Sequence, residues 1–173
     1  MRTLDAQQLE QLVDQYGPQV YRFCLRLTLY TPDAEDLYQQ VFLTVLERDM
    51  KIHKDGNPRS FLFSVACGIW RNEQRKRVRR STEASDTLDL EAARDNTEEE
   101  VLARMEAEEV KRIVSRLPSK YRVPLILQYT FQMSLKEISA VEHIPVGTVK
   151  SRLYQAKAIV KKEMEETGYG KTY

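Results

Sequence analysis

The chain has 173 residues, 42% hydrophobic and 31% charged, with 27 Lys and Arg against 26 Asp and Glu and only 6 Gly and 6 Pro. That is room for one ordinary domain or two small ones, which excludes a large multidomain enzyme, and the composition is that of a globular, mainly helical chain rather than a disordered or collagen-like one. Two cysteines (Cys24, Cys67) without a Cys-x-x-Cys pair and two lone histidines (His53, His143) supply neither a disulfide framework nor a zinc motif.

Met1 to Glu10 lacks the basic start and apolar run of a signal peptide. The longest uncharged stretch, Val123 to Leu135, spans thirteen residues, short of the roughly 20 that a membrane span needs. The chain therefore reads as cytoplasmic, with no direct membrane insertion.

From Ala6 to Tyr30, the residues Leu9, Leu12, Val13, Tyr16, Val20, Phe23 and Leu27 recur at steps of three and four, which predicts an amphipathic helix. Gly17-Pro18 is expected to kink or split it. A second helix is predicted from an N-cap at Thr31 to about Glu47, with Pro32 in first position and Asp33, Glu35 and Asp36 complementing the dipole. Lys51 to Arg59, around Asp55-Gly56-Asn57-Pro58, reads as a loop. Ser60 then caps a third helix whose apolar residues Phe61, Leu62, Val65, Ala66, Ile69 and Trp70 give way to the basic run Arg71 to Arg80.

Residues 81–100 are polar and acidic without apolar periodicity, the pattern of a flexible linker between modules 1–80 and 101–173. Helical pattern resumes at Val101, stops at Pro118, restarts at Ser119 and runs to Tyr129. Every element predicted is α, so the fold class is all-α with two small helical domains.

Charge follows the same division. Residues 1–50 net −4, 51–80 net +7, 81–110 net −9 and 111–173 net +7. Two basic blocks around an acidic one predict two polyanion-binding surfaces, with a connector that avoids the same ligand; solvated helix faces are the plainer alternative.

Ser134 followed by Glu137 is a capping box opening a short helix, Leu135 to Val141. The turn Glu142-His143-Ile144 leads to a helix starting near Pro145, which makes a helix-turn-helix. On that last helix Val149, Leu153, Ala156 and Val160 form one stripe. At about 100° per residue, Ser151, Tyr154, Gln155 and Lys162 point the other way, flanked by Lys150 and Lys161. Such a face suits the major groove, where Gln bonds adenine edges, Lys reaches guanine or phosphate and Tyr adds apolar contact.

With these motifs in order, the chain resembles, over almost its whole length, the group IV or extracytoplasmic-function (ECF) sigma factors of bacterial RNA polymerase. Asp33-Ala34-Glu35-Asp36-Leu37, then Gln39 and Phe42, is similar to the family's core-binding helix in region 2. Phe61-Leu62-Phe63 through the Arg-rich run is similar to its promoter-melting, -10-reading helix, although Gly68 stands where the family often has Asn. Pro145-Val146-Gly147-Thr148-Val149-Lys150-Ser151-Arg152-Leu153 is similar to the start of its -35-reading helix in region 4.

The resemblance implies a non-enzymatic initiation factor whose partners are RNA polymerase core, promoter DNA and an anti-sigma factor, with no cofactor, metal or small-molecule substrate. It assigns core binding to Asp33, Glu35, Asp36, Leu37, Gln39 and Phe42. The -10 contacts fall to Lys51, Lys54, Arg59, Phe61, Phe63, Trp70, Asn72, Arg75, Lys76, Arg77, Arg79 and Arg80, with the loop Lys51 to Arg59 taking a flipped-out base and the terminal cations taking phosphates. The -35 contacts fall to Gly147, Thr148, Lys150, Ser151, Tyr154, Gln155 and Lys157. The rings Phe61, Phe63 and Trp70 fit either base stacking or, for two of them, a buried helix face.

A helix-turn-helix operator-binding regulator is the alternative, but an acidic helix followed by a basic aromatic one is poor material for its ligand pocket. Asp33, Glu35 and Asp36 could be proposed as nuclease carboxylates; acids in a first helical turn are expected from the dipole alone, and no second acid cluster accompanies them. Cys24 and Cys67 read as small core residues, with redox sensing as the other reading. His143 reads as a surface or hydrogen-bonding residue of the turn.

Overall fold

The computed structural model describes residues 4–48, 56–80 and 98–168, with side chains from 105 onward in the last stretch. The elements are α1 (Ala6–Thr28), α2 (Thr31–Glu47), α3 (Pro58–Arg80), α4 (Glu98–Arg116), α5 (Ser119–Leu125) continued by a π-helical turn over Ile126–Thr130, α6 (Leu135–Glu142) and α7 (Val146–Glu166). Among the described residues there is no strand. They form two compact units, one around α1, α2 and α3, the other around α4, α5, the start of α6 and α7. The predicted linker 81–100 lies outside the described residues except for Glu98–Glu100, which already belong to α4.

In the first unit α1 opens on a capping box. Asp5 Oδ1 accepts from the Gln8 amide at 2.7 Å, and Gln8 Oε1 accepts from the Asp5 amide at 3.2 Å. Gly17-Pro18 does not split the helix, which runs through both residues. Pro18 forfeits one backbone bond. Beyond it Val20, Phe23, Cys24 and Leu27 are buried and hold the helix to its neighbours. Gly17 permits a close approach instead: a Cβ there would lie 2.9 Å from Tyr38 Oη on α2, and that hydroxyl would have to shift.

The helix starts differ from the sequence reading. Tyr30, extended at φ −139, precedes α2, and Thr31 is its first residue rather than its cap; Pro32 is accommodated in the first turn. For α3 the cap is Asn57, whose Oδ1 accepts from the amides of Arg59 at 3.0 Å and Ser60 at 3.4 Å, so the helix begins at Pro58 and Ser60 is a buried residue inside it. The core between the three helices holds Phe23, Leu27, Val41, Val45, Leu62 and Phe63, with the Phe23 and Phe63 rings stacked at 4.5 Å.

In the second unit Pro118 separates α4 from α5. The guanidinium of Arg122 is buried beneath them, Nη1 donating to the Ser115 carbonyl at 3.1 Å. Burial lowers its pKa from the usual arginine value. Past Pro124 the helix widens to its π-helical turn, closed by the Met133 amide on the Leu127 carbonyl at 3.0 Å. The capping box of α6 is formed as predicted: Ser134 N–H donates to Glu137 Oε2 at 2.8 Å and Glu137 N–H to Ser134 Oγ at 3.1 Å. Helices α4 and α5 both pack on α7.

Phe63 is fully buried, so Phe63→Ala should lower the stability of the first unit by about 3 to 5 kcal/mol through lost burial and a residual cavity. The urea unfolding midpoint measures it; an unchanged midpoint would place the ring outside the core.

Candidate nucleic-acid interface

The orientation of α7 is set by three side chains. Val149, Leu153 and Ala156 are buried against the rest of the second unit, while Val160, expected to extend the stripe, is only half-buried. The opposite arc carries Ser151, Tyr154 and Gln155, with Lys150 and Lys157 on its flanks, all exposed, Tyr154 at 78%. Gly147 and Thr148 sit in the first turn, exposed and half-buried respectively. Amides there lack intrahelical partners and favour an anion. All seven predicted -35 residues thus lie on the outward arc, on its flanks or at the N-terminus of one helix. His143 lies in the turn before it with a left-handed φ of 55.

Two tyrosines join this surface that the sequence reading did not select. Tyr121 Oη on α5 donates to Gln155 Oε1 at 2.7 Å. Lys157 Nζ stands 5.4 Å from the ring centroid of Tyr129, a cation–π distance. Residues 34 positions apart carry no periodic signal of their contact.

The basic surface of the first unit is the second half of α3. No residue after Trp70 is buried there, and Asn72, Arg75, Lys76, Arg77, Arg79 and Arg80 are exposed. Arg77 Nη2 pairs with Asp33 Oδ2 on α2 at 3.0 Å, and Lys76 approaches Glu73 at 3.7 Å. Exposed pairs of this kind are worth about 0 to 1 kcal/mol, so a phosphate can compete for both cations.

The ring assignments need correction. Phe63 and Trp70, at 0% and 5% exposure, belong to the core and are not placed to stack on a base. Phe61 is half-buried and is the ring of the three that solvent reaches. Arg59 is also half-buried, its Nη1 donating to Gln19 Oε1 at 3.3 Å. Lys51, Lys54 and the rest of the loop up to Asp55 lie outside the described residues.

On α2 the predicted docking set divides in two. Leu37 and Phe42 face the core, a correction to their assignment, because an amphipathic helix packed between α1 and α3 buries its apolar stripe. Glu35, Asp36 and Gln39 are exposed, and Asp33 is half-buried beside Arg77. The outer face also presents Leu43 at 52% and Leu46 at 41% exposure. Leu43 lies four residues beyond Gln39 and Leu46 three beyond Leu43, so the two leucines extend its face. They sit within the run Val41-Phe42-Leu43-Thr44-Val45-Leu46, where apolar residues occupy both sides of the helix and sequence alone does not sort them.

Cys24 and Cys67 are buried free thiols, each pushed up to about 12, chiefly by desolvation. Folding therefore keeps their protons on, so the stability tied to them is complete below the free-thiol pKa and is lost as pH rises towards about 12. At pH 8 neither thiol should react with iodoacetamide in the folded chain, and both should react in denaturant. Mass spectrometry reads this directly; alkylation of the native chain at the rate of free cysteine would restore the redox-sensor reading.

Among the described residues no helix is long and apolar enough to cross a membrane. Comparison with known proteins falls on the same helices. The family model for sigma-70 region 2 matches residues 12–80, and that for sigma-70, region 4 matches residues 107–160. The ECF RNA polymerase sigma factor SigW of Bacillus subtilis (strain 168) is 24% identical over 164 residues, covering 90% of this chain and 88% of that protein. The ECF RNA polymerase sigma factor SigL of Mycobacterium tuberculosis (strain ATCC 25618 / H37Rv) is 28% identical over 169 residues, 95% of this chain and 93% of that protein. Among solved structures, the sigma factor RpoE of Bartonella quintana, in complex with the anti-sigma factor NepR, superposes with a TM-score of 0.77 at 18% identity over 92% of this chain and 98% of that one, a likeness of fold.

Proposed function

The chain belongs to the ECF group of the sigma-70 family and directs promoter-specific initiation by RNA polymerase, and we infer that it does so through three surfaces: the outer face of α2 for polymerase core, the basic end of α3 for the -10 element and the outward arc of α7 for the -35 element. The observation that carries this reading is the register of α7. Burial of Val149, Leu153 and Ala156 leaves Lys150, Ser151, Tyr154 and Gln155 on the side that enters a groove.

On α3 the exposed Arg75, Lys76, Arg77, Arg79 and Arg80 supply charge for phosphates, and the half-buried Phe61 supplies the ring nearest solvent. The net −9 of residues 81–110 repels DNA between the two basic modules. The chain acts in the cytoplasm and performs no chemistry of its own; promoter opening is driven by binding, with unstacked bases held by the protein. An anti-sigma protein covering the exposed leucines of α2 would withhold the chain from polymerase.

Core binding is the property that separates this reading from an operator-binding regulator. The combined Asp36→Ala and Gln39→Ala change should weaken binding to polymerase core about tenfold in a competition assay without DNA, the effect of losing one or two important interface side chains. Unchanged affinity would remove α2 from the docking role.

A further inference from the structure

Gln155 is the residue on α7 whose meaning depends on a neighbour. A glutamine amide carries an acceptor oxygen at one side and two donor hydrogens at the other, and rotation exchanges them. An exposed glutamine on a bare helix presents either edge to a base. Here Tyr121 Oη donates to Gln155 Oε1 at 2.7 Å, which turns the oxygen towards α5.

The phenol that makes this bond is itself held in place. The Tyr121 amide donates to the Pro118 carbonyl at 2.9 Å, the next residue is the buried Arg122 bonded to Ser115, and Lys120 Nζ lies 4.8 Å from the Tyr121 ring centroid. A phenol O–H is a stronger donor than acceptor, so the orientation with the amide oxygen inward is the favoured one. The NH₂ group then faces away from α5 with both hydrogens available, and its ordering cost is met before DNA arrives.

We propose that Tyr121 is a positioning residue for promoter reading, holding Gln155 so that it offers a donor to the groove and discriminates against cytosine at the base it meets. The proposal rests on the assignment of α7 to the -35 element. In the major groove guanine, adenine and thymine each present an acceptor, whereas cytosine presents only the N4 donor. A donor edge fixed towards cytosine leaves two donors facing each other. Without the phenol hydroxyl the amide can turn and present its oxygen to cytosine N4.

The test uses the full chain with polymerase core and a promoter library carrying all four bases at each -35 position, comparing the unaltered chain, Gln155→Ala, Tyr121→Phe and the double variant. Gln155→Ala should relax preference at one position. Tyr121→Phe should reduce the penalty against cytosine at that same position by about two- to tenfold, the worth of one hydrogen bond, and leave the other positions as they were. The double variant should match Gln155→Ala alone. If Gln155→Ala relaxes a position and Tyr121→Phe does not alter it, or lowers the use of every promoter alike, the Tyr121 role is overturned while Gln155 remains a base reader. If Gln155→Ala relaxes no position, the base-reading assignment of Gln155 falls and the Tyr121 role falls with it.

Discussion

Burial of Val149, Leu153 and Ala156 decides where every other side chain of α7 points. A helix buries one stripe, and the hydrophobic energy of that stripe far exceeds any preference of the polar residues on the other side. Once α4 and α5 close over those three residues, Lys150, Ser151, Tyr154 and Gln155 have no choice but the outward arc. Recognition is therefore a consequence of core packing, and the rest of the second unit is what keeps that stripe dry. The capping box at Ser134 and the buried Arg122 serve the same end, one starting the helix-turn-helix and the other locking α5 to the end of α4.

In the first unit one helix answers opposite demands in its two halves. Leu62, Phe63, Ala66, Cys67 and Trp70 anchor the first half of α3 in the core, and nothing after Trp70 is buried. The second half pairs like charges at i and i+4, Arg75 with Arg79 and Lys76 with Arg80. Each such pair costs a few tenths of a kcal/mol, roughly 0.2 to 0.5. Cations at a helix C-terminus recover a similar amount, roughly 0.3 to 1 kcal/mol each, from the dipole. The segment is thus close to neutral in stability, held helical by the anchored half, and its cations, including Lys76 and Arg77 in their weak ion pairs, can be taken by phosphates.

Much of this was legible in the sequence. The period of α7, the Ser134 and Glu137 pair, the break at Pro118 and the all-α class follow from local patterns. What escaped is non-local or degenerate. Asn57 and Ser60, three positions apart, are both cap-forming residue types, and only the geometry shows that Asn57 takes the amides of Arg59 and Ser60. Phe63 and Trp70 look like stacking platforms beside arginines, yet the core of the first unit takes them. Leu43 and Leu46 hide in a run with more apolar residues than one stripe holds. Gly17-Pro18 looks like a break, but burial on the far side of the proline keeps the helix whole. The Tyr121 to Gln155 bond joins two helices that no pattern connects.

The central claim is that one chain reads two different DNA elements through two unlike helical surfaces. Transcription by polymerase core with this chain from templates carrying a fully randomised upstream region tests it most directly. Sequencing of the transcribed templates should reveal two unrelated conserved blocks at a preferred separation, with no symmetry between them, because α3 and α7 are different surfaces of one chain. A single block, or a palindrome of the kind that a symmetric helix-turn-helix dimer selects, would contradict the account.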